Sequence, residues 1–187
     1  RTRYFYRIKI TDCSNDESKW SDISFFETGI LYCSELKACF VSPWSEGSAS
    51  DSSAPLLRKE FMARDNIKDA RIYATALGMY ELRINGKKVG DALLTPGWTS
   101  YDSRLQYQTY EVTDMIKTGA NAIGAMLGCG WYRGDLVGWH EKKKKYGDRT
   151  ALYMELYIKY ADGSEQVILS DETWKSSQGP VLLSEMY

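Results

Sequence analysis

Apolar and polar positions alternate along most of the chain. In YELRINGKKVGD (residues 80–91), Tyr80, Leu82 and Ile84 fall on one side and Glu81 and Arg83 on the other. That period of two belongs to a strand with one buried face. Asn85-Gly86 follows, a pair that supplies the two positive-φ positions of a type I′ hairpin turn. A second hairpin is written in LYMELYIKYADGSEQVILSD: Leu152, Met154, Leu156, Ile158 and Tyr160 line one face, and Asp162-Gly163 makes the turn. LLRKEFMA, ARIYATAL, LQYQTYEVTDMI, GANAIGAMLG and ETWKSS supply further strands, with Thr113 placed to cap a helical turn. No segment keeps a helical period over the roughly 10–12 residues that a helix assignment needs. About eight short strands at hairpin spacing predict an all-β fold, an antiparallel sandwich of jelly-roll type.

The first residues stand apart. YFYRIKITD (4–12) alternates like a half-buried strand and ISFFETG (23–29) reads as a second. Two strands do not make an independent domain, so residues 1–29 read as the tail of another sandwich. The chain opens at Arg1 inside strand-like sequence, which reads as a piece of a longer protein. SPWSEGSASDSSAP, within residues 30–54, has the Ser, Gly and Pro content of a linker or surface loop.

Composition narrows the function. Apolar content of 43% and charged content of 26% suffice for a core. A net charge of −1 removes the electrostatic case for nucleic acid. No apolar run reaches the roughly 18 residues of a membrane-spanning helix. Four scattered cysteines without a CxxC pair, and a single histidine, argue against structural zinc. They read as buried thiols of a reducing, cytoplasmic compartment. The 14 Tyr and 6 Trp are the unusual feature. Such residues favour strands and also surfaces that stack on ligands.

LGCGWYRGDLVGWHEKKKKYGDR (127–149) concentrates that feature. Gly128, Gly130 and Gly134 surround Trp131, with Tyr132 beside it. Trp131 either plugs the end of the sandwich or offers a flat face to the C–H side of a sugar ring. In PGWTSYD, Asp102 is able to accept two sugar hydroxyls. The alternative is a turn or capping aspartate with Arg104 as its ion partner, and Trp98 reads as core. Asp135, His140 and Glu141 read as a solvated loop, since spacing within a loop does not establish the ~5–9.5 Å carboxylate separation a glycosidase needs and no second histidine exists to share a metal. The lysine run reads as a solvated face, and YGDR as a loop shaped by Asp148 with Arg149 or with backbone.

Together these blocks, in the order NGxxVGD, PGWTxY, YQTYxVTD and GxGWYRG, resemble bacterial α-L-rhamnosidases of glycoside hydrolase family 78. The resemblance implies a galactose-binding-domain-like accessory sandwich over residues 55–178, upstream of a catalytic (α/α)6 barrel. It implies that residues 1–29 are the closing strands of a fibronectin type III-like domain, 30–54 a linker and 179–187 the exit towards the next domain. The family's general acid and base lie in the barrel, so no catalytic residue is expected here. In some members the equivalent sandwich binds L-rhamnose with a calcium ion. Carried over by motif, the corresponding positions are Asp102 with Ser103, Trp131, and Lys145 with Thr150. Lys145 brings a cation where calcium wants oxygen, so no cofactor is expected and the sugar site weakens with the ion. The resemblance leaves a carbohydrate-binding module and a purely structural scaffold beside the barrel as the two readings.

Overall fold

The computed structural model describes residues 2–43, 53–136 and 144–186. The chain divides into two compact units, Arg1–Lys37 and Ala38–Tyr187. In the first, strands β1 (Arg3–Tyr6) and β2 (Ser24–Glu27) pair antiparallel, Tyr4 opposite Phe26 and Phe5 opposite Phe25. The half-buried strand expected here is not observed. β1 is exposed along its whole length, because a lone two-stranded ribbon has no layer to cover either face.

The second unit is the predicted antiparallel sandwich. β3 (Leu56–Ala63), β4 (Ile67–Leu77), β5 (Met79–Ile84), β6 (Lys87–Lys88), β7 (Gln108–Glu111), β8 (Gly119–Gly128), β9 (Ala151–Tyr160), β10 (Glu165–Leu169) and β11 (Lys175–Ser177) form two sheets. One is ordered β10-β9-β4-β7 and the other β11-β3-β8-β5-β6. Their inner faces meet on Ile72, Leu82, Ile84, Ile123, Leu127, Leu152, Met154, Leu156 and Ile158, all at most 1% exposed. The alternation read from the sequence therefore sets the core, and burial of each such side chain stabilises the fold by about 1.5–3 kcal/mol.

Both turns form as expected. Asn85 and Gly86 take φ of 50° and 82°, and Gly163 takes 84°. The Asn85 side chain also donates to Met115 O and Asn121 Oδ1 and accepts from the Ala122 amide. Thr113 is not a cap. Its Oγ1 accepts the Ala70 amide at 2.7 Å and donates to Glu111, tying β4 to the turn after β7.

The outer face of β9 departs from simple alternation. Tyr153, Glu155 and Tyr157 are buried as well. Residues 38–43 run beside the start of β9, where Val41 bridges Leu152 and Cys39 exchanges hydrogen bonds with Ser170. Beneath them the Glu155 carboxylate accepts from the Tyr153 and Tyr157 hydroxyls at 2.5 and 2.8 Å and from the Ala38 amide at 3.1 Å. Such donors make a buried carboxylate tolerable. The cysteines also differ from expectation. All four are free thiols, but only Cys129 is buried; Cys13, Cys33 and Cys39 are exposed.

Candidate functional site

One end of the sandwich gathers the motifs. β4 and β8 finish there and β5 and β9 begin, with Leu77 opposite Ala151 and Met79 opposite Gly128. Gly78 turns the chain between β4 and β5 at φ +114°, and a Cβ on it would lie 2.4 Å from Gly128 O. Just past β8 the chain makes a single helical turn, α1 (Gly130–Arg133). Gly130 enters it at φ +51°, where a Cβ would lie 2.6 Å from Met79 Cγ. The sequence suggested a glycine-rich loop. The structure shows a turn packed tightly on Met79, which projects Trp131 and Tyr132.

The PGWTSYD loop reaches the same place. Thr95 anchors it, since its backbone oxygen accepts the Tyr80 amide and its Oγ1 donates to Tyr80 O. The loop closes on itself: the Ser103 and Arg104 amides donate to Ser100 O, Thr99 Oγ1 donates to Arg104 O, and the Tyr101 hydroxyl donates to Gly97 O. Among the described residues Asp102 makes no ion pair with Arg104, contrary to the turn-with-partner alternative, and its carboxylate is exposed. Ser103 beside it is exposed too.

Trp98 is not core. It is 51% exposed and lies parallel to Trp131, planes 4° apart and ring centroids 5.9 Å apart. Pro96 is buried, whereas the indole two residues on is exposed and lies parallel to Trp131. Trp131 is half-buried. Its Nε1 is buried and meets no acceptor among the described residues. Trp174 is the contrast: it is a core indole whose Nε1 donates to Leu169 O at 3.0 Å. Buried donors of structural residues are normally paired in this way.

A tyrosine cluster adjoins the indoles. Tyr101 meets the edges of Tyr132 and Tyr146 at centroid distances of 5.3 and 5.0 Å, and Tyr132 stacks on Tyr146 at 6.4 Å. Edge and offset contacts of this kind stabilise by about 0.5–1.5 kcal/mol each beyond burial. Gly147 lets the YGDR segment touch Tyr132, because a Cβ there would lie 2.3 Å from the phenol oxygen. That contact shapes the segment. Among the described residues Asp148 and Arg149 make no ion pair, and both are exposed.

The electrostatics follow from the packing. Burial, and then the charges of Asp148 and Asp102, push the Tyr132 phenol above its ordinary pKa. Burial and the neighbouring Tyr146 push the Tyr101 phenol up to about 12. Lys145 Nζ sits 4.9 Å from the centre of the Tyr146 ring. Thr150 is buried beneath the site, its methyl 3.1 Å from where a Gly78 Cβ would stand, and its backbone oxygen accepts from Ser42 Oγ. The structure thus brings Trp131, Tyr132, Asp102 and Ser103 to one end of the sandwich. It adds Trp98, Tyr101, Tyr146 and Asp148, which sequence reasoning had not assigned to a site. Their signal was present only as aromatic excess next to Gly and Pro. His140, Glu141 and the first lysines of the run lie outside the described residues.

A profile of the α-L-rhamnosidase N-terminal domain matches residues 65–187. The chain belongs to that family. An α-L-rhamnosidase of Streptomyces avermitilis is 39% identical over 170 residues, which is 89% of this chain and 16% of that protein. One from Formosa agariphila is 35% identical over 195 residues, 100% of this chain and 21% of that protein. The crystal structure of native α-L-rhamnosidase from Aspergillus terreus superposes with a TM-score of 0.91 at 38% identity, over 99% of this chain and 22% of that one. The Streptomyces avermitilis enzyme complexed with L-rhamnose gives 0.70 at 34%, over 95% and 19%. The chain therefore spans about a fifth of the length of these relatives.

Proposed function

We propose that this chain is a non-catalytic, carbohydrate-binding part of an α-L-rhamnosidase, and that it takes an L-rhamnosyl unit on the Trp98–Trp131 surface. The observation that carries the reading is the parallel indole pair, Trp98 exposed and Trp131 half-buried, on a sandwich end whose loops also carry the exposed carboxylates of Asp102 and Asp148. The C–H face of a pyranose stacks on an indole, and Asp102 and Asp148 are acceptors for its hydroxyls. The rhamnose complex of the Streptomyces avermitilis relative supports the choice of sugar.

Binding in this reading needs no calcium. That ion takes six to eight oxygens. Here Lys145 puts an ammonium over the Tyr146 ring and Thr150 is buried, so the two positions that the family pattern would use offer a cation and an enclosed methyl. The reading excludes hydrolysis by this chain because Asp102 and Asp148 are exposed, whereas a general acid needs an apolar setting to hold its proton at neutral pH. Cleavage belongs to the catalytic barrel of the longer protein, with residues 1–29 closing a fibronectin type III-like domain and 179–187 leading onwards.

Calorimetric titration with L-rhamnose tests the proposal. A dissociation constant of about 0.1–1 mM is expected for one stacked monosaccharide, unchanged by calcium or by a chelator, together with no release of nitrophenol from a nitrophenyl rhamnoside. Absence of heat at ~10 mM sugar, with and without calcium, leaves the scaffold role.

A further inference from the structure

The turn that carries Trp131 and Tyr132 begins without a cap of its own. A helix start leaves amide groups that need acceptors. The residue at the capping position is Cys129, which has helical backbone angles (φ −63°, ψ −44°) and makes no side-chain capping bond. Its thiol is buried and faces Arg133 Nη1 at 3.6 Å. The acceptors come from far along the chain. Ser184 Oγ accepts the Cys129 amide at 3.1 Å and Ser184 O accepts the Gly130 amide at 3.2 Å.

The segment around Ser184 is fitted to the turn on both sides. A Cβ on Gly128, before the turn, would lie 3.5 Å from Ser184 Cβ, and one on Gly134, after it, 3.7 Å from Glu185 Cα. A second anchor lies upstream, where the Ala54 amide donates to Val181 O at 2.9 Å. The chain leaving the sandwich is therefore bonded directly to the base of the Trp131 turn.

We infer that Ser184 is a positioning residue for the sugar surface, setting the orientation of Trp131 from the exit segment. Sugar affinity and the course of the chain beyond the sandwich are then linked through two hydrogen bonds. The inference rests on the proposed function for its effect on binding, but not for its effect on Trp131 itself.

Three measurements on the 187-residue chain test it. In the wild-type protein the Cys129 and Gly130 amides exchange slowly with solvent, and rapid exchange of both overturns the inference. In Ser184→Ala the indole N–H resonance of Trp131, assigned with Trp131→Phe, moves without sugar present, and L-rhamnose binds about fivefold more weakly, the size of a lost helix cap. Ser184→Thr, which keeps the hydroxyl, restores both. An unmoved resonance with unchanged affinity in Ser184→Ala overturns the inference, whatever happens to the melting temperature. If the wild type binds no sugar, the proposed function fails, and the indole resonance and amide exchange still decide the role of Ser184.

Discussion

In the proposed function Trp98 and Trp131 divide the work of one surface. Trp131 is held by the α1 turn and is half-buried, whereas Trp98 lies outside it and offers the more open ring. Trp131→Ala should abolish measurable rhamnose binding and Trp98→Ala should weaken it about tenfold, or ~1.4 kcal/mol. Both variants should melt cooperatively, as circular dichroism will show. Tyr101 makes a separate prediction. Its phenol, ordinarily near 10, is pushed up to about 12 by burial and Tyr146. A raised pKa means that the fold favours the neutral form. The stability this contributes is whole below about pH 10 and is lost as the pH climbs through the native value. Tyr132, Tyr80 and Tyr153 are also shifted upwards, so ultraviolet titration should show several late tyrosines, and Tyr101→Phe should reduce that late absorbance by one phenol. Of the residues named as candidates from the sequence, Trp131 and Tyr132 lie on the α1 turn and Asp102 and Ser103 on the PGWTSYD loop, whose Tyr101 meets Tyr132. Trp98 escaped because an indole after Gly97 reads locally as core, and nothing in the sequence tells which loop its ring will meet.

Strands were the most legible elements. β3 coincides with LLRKEFMA, and β8 takes in all of GANAIGAMLG, including the first residues that read as a turn, because period-two patterning bounded by turn residues is a local signal. The edge at 38–43 was not legible. Its place beside β9 depends on Ser170 and Glu155, more than a hundred residues away, and its own pattern is that of a loop. The buried Glu155 was hidden for the same reason: its donors come from Tyr153, Tyr157 and Ala38. The Asn85-Gly86 turn gives the element-level prediction. Asn85→Ala forces alanine to φ +50° and removes three hydrogen bonds. It should cost about 2–3 kcal/mol in chemical denaturation, with Asn85→Gly costing less because glycine accepts that φ.

At the scale of the molecule, the two units differ in what they can sustain. The first shows Tyr4, Phe5, Phe25 and Phe26 on a ribbon with no second layer of its own. The second has a closed core and its own edge segment. A chain beginning at Ala38 should therefore unfold in one transition near that of the whole protein. A chain beginning at Ser53 loses the cover over Glu155 and should melt several degrees lower, since ~1 kcal/mol corresponds to about 2–8 °C for domains of this size range. Alternating polarity predicted the sandwich, and the ordered motif blocks carried the resemblance to the rhamnosidases. Neither revealed which end carries the proposed sugar surface, because that requires three distant loops to meet. The most direct test is a crystal of this chain soaked in L-rhamnose. The account predicts a pyranose ring against Trp98 and Trp131 with its hydroxyls towards Asp102 and Asp148. A saturating soak that leaves this surface bare, or places the sugar elsewhere, contradicts it.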